Sequence, residues 1–164
     1  MHKAFLLLGG NLGDVPDTFS NALNLLEARG ISVLRKSALY QSEPWGMESG
    51  KLFINQAVEV FTSMDPVELL NALLDIEKIF GRTRIEGQVL SRNIDIDILL
   101  FDERVVCLPE LTIPHPRMHL RRFVLEPLYE IAPLARHPLL HHTIGQLLQD
   151  CTDKLKVTKL GIIV

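Results

Sequence analysis

Three observations predict an α+β fold for this chain of 164 residues. Apolar runs at Lys3–Leu8, Ile31–Tyr40, Leu52–Phe61 and Asn93–Phe101 read as strands. Two stretches of helical period separate them, one after Asp14 and one after Asp65. No repeat, low-complexity tract or Pro/Ser linker divides the sequence, so residues 1–164 are read as a single domain.

Each element has its own local cause. Lys3–Leu8 is ended by Gly9-Gly10-Asn11, which reads as a turn. In the first helix Val15, Phe19, Ala22, Leu23 and Leu26 fall on one face, with Pro16 early and Gly30 past the end. Two strands follow, joined by a loop holding Pro44-Trp45-Gly46. The second helix opens on Asp65, with Pro66 at its first position and Glu68 three residues after the cap, a capping-box arrangement. Its stripe is Leu69, Leu73, Ile76 and Phe80, and Gly81 closes it. Asn93–Phe101 completes a β-α-β-β-α-β order, the ferredoxin-like unit, in which both helices cover one sheet face and leave the other free. The remainder reads as C-terminal additions: a short strand near Val105-Val106, a loop with Pro114 and Pro116, a Pro-interrupted helical patch at Phe123–Ile131, a short helix opening at Thr143, and a last strand near Leu155–Leu160.

Composition narrows the function classes. A formal charge of −3 speaks against a protein whose whole surface grips nucleic acid. Two cysteines, Cys107 and Cys151, stand far apart, which excludes a disulfide scaffold and fits a reducing compartment. Ala4–Leu8 is too short for a signal segment or a membrane span. A soluble cytoplasmic protein is expected.

Asn93–Ile98 is the most informative stretch. Alternation puts Ile94, Ile96 and Ile98 on the core face and Asp95 and Asp97 together on the other. Two residues along a strand span about 6.6 Å, so both carboxylates can share one small polar volume. A hard cation such as magnesium, with phosphate oxygens and waters, relieves their repulsion. A solvated acidic face is the competing reading. Arg82, Arg84 and Arg92 precede the pair within eleven residues. Guanidinium forks clamp phosphate, and carboxylates beside arginines are the parts of phosphoryl transfer. Salt bridges between those arginines and the aspartates would explain the same residues. On Leu52–Phe61 the core set Ile54, Val58 and Val60 leaves Phe53 and Asn55 on the face of the aspartates, where an aromatic and an amide suit a flat heterocycle. His115, between Pro114 and Pro116, could donate to a phosphate or merely cap the loop. His115, His119, His137, His141 and His142 contain no H-E-x-x-H arrangement, which argues against zinc.

Assembled in order, these residues resemble the 6-hydroxymethyl-7,8-dihydropterin pyrophosphokinases of folate biosynthesis, from Leu6 to about Pro133. The likeness rests on Gly-Gly-Asn-Leu-Gly at 9–13, Glu-Pro-Trp-Gly at 43–46, Phe-Ile-Asn-Gln-Ala-Val at 53–58, Ile-Glu-x-x-x-Gly-Arg-x-Arg at 76–84, Ser-Arg-Asn-Ile-Asp-Ile-Asp-Ile-Leu at 91–99 and Ile-Pro-His-Pro-Arg-Met at 113–118. The resemblance implies transfer of a diphosphoryl group from ATP to the hydroxymethyl oxygen of the pterin, releasing AMP. It implies that Asp95 and Asp97 bind two magnesium ions and that Arg82 and Arg92 clamp phosphates. It places Glu77, Arg84, Thr112, His115, Arg121 and the backbone of Ile98 at ATP, and Asn55, Phe53, Phe123 and the chain around Ser42 and Trp45 at the pterin. The chain departs from the common pattern at Val89, Leu90 and Ser91, at Leu74 and at Asn93. The implied partners are small molecules, without nucleic acid or membrane, and the implied state is a monomer. The rival reading is a ferredoxin-like nucleic-acid or small-ligand binding module. Single-strand readers want basic and aromatic residues on the sheet face, whereas this face carries two aspartates.

Overall fold

A computed structural model describes residues 1–43, 52–81 and 93–161. In chain order the elements are β1 (His2–Gly10), α1 (Val15–Ala28), β2 (Ser32–Lys36), β3 (Tyr40–Ser42), β4 (Phe53–Thr62), α2 (Pro66–Ile79), β5 (Asp95–Phe101), β6 (Val106–Leu108), β7 (Leu111–Ile113), α3 (Arg122–Ile131), α4 (Ile144–Asp150) and β8 (Val157–Lys159). A 3₁₀ turn, Met118–Leu120, precedes α3. The main sheet runs β5-β1-β4-β3-β8 with β2 also on β4, every pair antiparallel. This is the α+β, ferredoxin-like arrangement the sequence predicts. No described helix is long and apolar enough to cross a membrane.

The helix boundaries follow from capping chemistry. Asp14 accepts the Asp17 amide at 3.1 Å. Asp65 accepts from the Glu68 amide at 2.9 Å while Glu68 returns a bond to the Asp65 amide at 3.1 Å. Gly30 and Gly81, at φ +79° and +78°, take the left-handed turn that ends each helix. Phe19, Leu26, Leu69, Leu73 and Ile76 are fully buried against Leu6, Leu8, Val58 and Val60. Each such side chain contributes about 1.5–3 kcal/mol through burial.

Four features differ from expectation. Strand β1 continues through Gly9 and Gly10, because both pair with β4, and Gly9 pairs with β5 as well; tertiary pairing overrides the turn preference of the glycines. The expected strand Ile31–Tyr40 is two strands. Between Lys36, opposite Val58, and Tyr40, opposite Asn55, four steps face three. Ser37 manages the mismatch: its amide donates to the Ala57 carbonyl at 2.8 Å, and its hydroxyl oxygen accepts the Ala57 amide at 3.0 Å. The short strand near Val105-Val106 has a partner, β7, that the sequence did not announce.

The fourth difference concerns the face expected to be free. A second apolar cluster joins Phe5, Leu7, Ala57, Leu99 and Leu100 of the sheet to Val124, Leu125, Leu128 and Ile131 of α3 and to Ile144 and Leu147 of α4. The C-terminal additions therefore cover part of that face. A bulge in β5 adds to the apolar surface they cover. Ile98 faces Leu6 and Leu100 faces Phe5, leaving Leu99 as an extra residue. Leu99 and Leu100 thus both reach the second cluster, and Phe101 returns to the first.

Candidate active site

Cross-strand neighbours share a face, so the sheet register fixes the site directly. One row across four strands reads Asp95, Gly9, Asn55, Tyr40; the next reads Asp97, Leu7, Ala57. Asp95 and Asn55 are two strand spacings apart, about 10 Å between Cα atoms. Beyond them Phe53 faces Ser42 at the end of β3. The structure therefore brings both carboxylates, the Asn55 amide and Phe53 to one end of one face, with Leu7 and Ala57 at the border of the apolar cluster under α3.

Asp95 and Asp97 are partly exposed. Among the described residues no group of three or more His, Cys, Asp or Glu side chains could hold a metal ion. Two carboxylates alone fit a cation that keeps water and takes further oxygens from a phosphate, which is the habit of magnesium.

His115 is tied to this strand. Its amide donates to the Leu99 carbonyl, at the bulge, at 3.0 Å. Its Nδ1 accepts the Arg117 amide at 3.4 Å, so the neutral ring carries its proton on Nε2. Burial and the charge of Arg121 hold the imidazole below its ordinary pKa, with Asp95 pulling the other way and Arg117 adding to the depression. Burial and Arg117 lower the pKa of Arg121, which Asp97 and Asp153 counter; a guanidinium there stays charged. Arg121 lies 5.8 Å from the centroid of Phe123, in the first turn of α3. Thr112 is exposed on β7, immediately before the Ile113–Pro114 cis peptide.

The open edge of β5 carries a second set. Glu77, 2% exposed on α2, accepts the Ile96 amide at 2.8 Å. Backbone groups of alternate residues point the same way, so those of Ile98 face this edge too. Asn93 donates to the Phe80 carbonyl at 2.7 Å, joining the end of α2 to the entry of β5.

Tyr40 and Glu130 were not singled out from sequence. The Tyr40 hydroxyl donates to Glu130 at 2.6 Å, and burial followed by that carboxylate pushes its pKa upward. Glu130 also accepts the Ala38 amide at 3.1 Å and lies 3.4 Å from the Lys159 ammonium. It pins α3 to β3 and β8 beside the Asn55 row. Nothing local in the sequence signals a pairing 90 residues apart. Trp45, Arg82, Arg84 and Arg92 lie outside the described residues.

Comparison with known proteins concerns the family and the fold. Residues 5–133 match the family model described as 7,8-dihydro-6-hydroxymethylpterin-pyrophosphokinase. A 2-amino-4-hydroxy-6-hydroxymethyldihydropteridine pyrophosphokinase of Synechocystis is 42% identical over 154 residues, covering 92% of this chain and 78% of that protein. The Bacillus subtilis protein of the same name is 42% identical over 129 residues, 78% of this chain and 77% of that one. Among solved structures, wild-type Plasmodium falciparum HPPK-DHPS with SDX-DHP superposes with a TM-score of 0.74 at 18% identity, over 90% of this chain and 44% of that longer one. At that identity the likeness concerns the fold.

Proposed function

The chain belongs to the 7,8-dihydro-6-hydroxymethylpterin-pyrophosphokinase family, and from that premise we propose how its own residues carry the reaction. The activity is ATP-dependent pyrophosphoryl transfer to hydroxymethyldihydropterin in folate biosynthesis. A bond forms between the hydroxymethyl oxygen and the β-phosphorus of ATP, the bond from that phosphorus to the α-phosphate oxygen breaks, AMP leaves, and the hydroxyl proton is lost.

In this reading Asp95 and Asp97 hold two magnesium ions. Bound there, the ions neutralise phosphate charge and raise the acidity of the substrate hydroxyl. The remaining work falls to side chains. Asn55 hydrogen-bonds the edge of the pterin, Phe53 and Phe123 stack on its ring, and the chain at Ser42 and Trp45 supplies backbone contacts. The neutral His115 donates from Nε2 to a phosphate oxygen, and Arg121 adds fixed positive charge beside Asp97. Arg82, Arg84 and Arg92 clamp phosphates from the segment before β5. Thr112 and Glu77 flank the nucleotide, and the open edge at Ile98 reads its adenine.

The observation that carries this reading is the row Asp95–Gly9–Asn55. It sets a carboxylate about 10 Å from a buried amide, with glycine on the strand between them. That is the spacing needed to hold a bicyclic ring at one end and its hydroxymethyl arm at the other. The reading treats residues 1–164 as one monomeric domain. It also places the protein in a reducing compartment, in keeping with two free cysteines of which Cys107 is exposed. Mixing protein, ATP, magnesium and hydroxymethyldihydropterin should release AMP in step with pterin diphosphate. Equal AMP release without magnesium would overturn the metal assignment, and none under either condition would overturn the reading.

A further inference from the structure

We propose that Gly9 is a positioning residue for pterin recognition, acting by leaving room for the Asn55 carboxamide. The proposal rests on Asn55 reading the pterin edge. Gly9 lies between Asn55 and Asp95 in the sheet. It is not among the glycines with positive φ, which are Gly13, Gly30, Gly81 and Gly161. An extended conformation is open to any residue, so backbone freedom does not explain a glycine here.

Space does. A Cβ on Gly9 would stand 2.8 Å from Asn55 Nδ2 and 3.9 Å from its Cγ, with the Ile54 carbonyl next at 4.0 Å. The amide thus lies over the bare Cα of Gly9. There it is 5% exposed, donates from Nδ2 to the Leu8 carbonyl at a long 3.4 Å, and leaves Oδ1 buried without a partner. An unsatisfied buried acceptor is costly alone and valuable when a ligand donor reaches it. The slot over Gly9 holds that oxygen ready for a ring N–H.

A methyl group at position 9 would meet the free end of a side chain and no backbone closer than 4.0 Å. The amide must move while the sheet and Asp95 stay. Gly9→Ala is therefore expected to raise KM for the pterin about tenfold or more and leave kcat within about threefold, with ATP binding unchanged. In the Asn55→Ala background, where no carboxamide remains to displace, Gly9→Ala should add nothing.

The test is this double-mutant cycle, together with the side-chain NH₂ signals of Asn55 in ¹⁵N-labelled free protein. The proposal expects those signals to shift in Gly9→Ala and the KM effect to vanish in the double variant. Unshifted signals, or an equal added KM increase in the Asn55→Ala background, would overturn it. If Gly9→Ala alone does not fold, Gly9→Ala/Asn55→Ala should fold as well as Asn55→Ala; a double variant that also fails to fold overturns the proposal. The signals require no turnover. A wild-type protein inactive on pterin would therefore sink the proposed function while the displacement of Asn55 is still judged.

Discussion

The carboxylate of Glu77 accepts the main-chain N–H of Ile96 at 2.8 Å, so a buried acid of α2 closes the open edge of β5 one residue from each aspartate. Removing it would leave a buried donor without its partner, which costs about 1–3 kcal/mol. Glu77→Ala should lower unfolding free energy by that amount in urea titration. It should also reduce kcat, because the start of β5 loses a fixed point. Glu77→Gln keeps an acceptor oxygen and should recover most of both. Unchanged stability in Glu77→Ala would show that the edge bond contributes nothing.

Asp97 lies on the sheet face shared with Asp95 and Asn55 and not in either apolar cluster. Asp97→Ala should therefore leave the melting temperature within a few degrees. Given its proposed role as a magnesium ligand, its loss should cut kcat more than about 100-fold, since metal stabilisation of transferring phosphoryl charge is worth several kcal/mol. Titration with magnesium should show the weakened site directly as a higher metal requirement. Near-normal turnover would remove Asp97 from the metal centre.

His137 gives the protein an acid-sensitive point away from the site. It is buried, and its Nδ1 accepts the amides of Leu139 and Leu140 at 3.3 and 3.1 Å. Burial first, then the neighbouring His119 and His141, hold its pKa below the ordinary 6.5. The unfolded chain therefore binds the proton more readily than the folded one. The resulting stability is full above pH 6.5 and is lost as pH falls through the lower folded value. Unfolding free energy should drop between pH 7 and pH 5 by at most about 1.4 kcal/mol per pH unit for this group. His137→Asn keeps an acceptor for the two amides and should flatten the slope. An unchanged slope would assign the acid sensitivity to other groups, among them His115, which is also held below its ordinary pKa.

The parts of the molecule visible in its residue order are those with local causes. Both capping boxes, Asp65 with Glu68 and Thr143 with Gln146, form both of their bonds. Alternation correctly placed Ile94, Ile96 and Ile98 in the main core and the two aspartates opposite. Strand order then set Asn55 beside them. What stayed hidden depends on partners distant in sequence. Gly9 and Gly10 read as a turn until two flanking strands claim them. Ser37 breaks a strand only because Ala57 and Gln56 bond to it, the latter donating to its carbonyl at 2.8 Å. Glu130 carries no sign of Tyr40. The facing of Leu100 toward the second cluster and of Phe101 toward the first depends on a register shift within β5, and alternation assumes there is none.

That shift has a lasting consequence for how this stretch can change. Leu99 acts as a half-step in the strand, after which inward and outward positions trade places. Without it, Ile98, Leu100 and Phe101 would stand opposite Leu6, Phe5 and Ala4 in an unbroken strand. Deleting Leu99 would keep Phe101 inward and both aspartates outward, yet would take away the carbonyl to which the His115 amide is anchored and one leucine of the second cluster. The half-step therefore serves the mooring of the His115 loop and not the alternation of the strand itself.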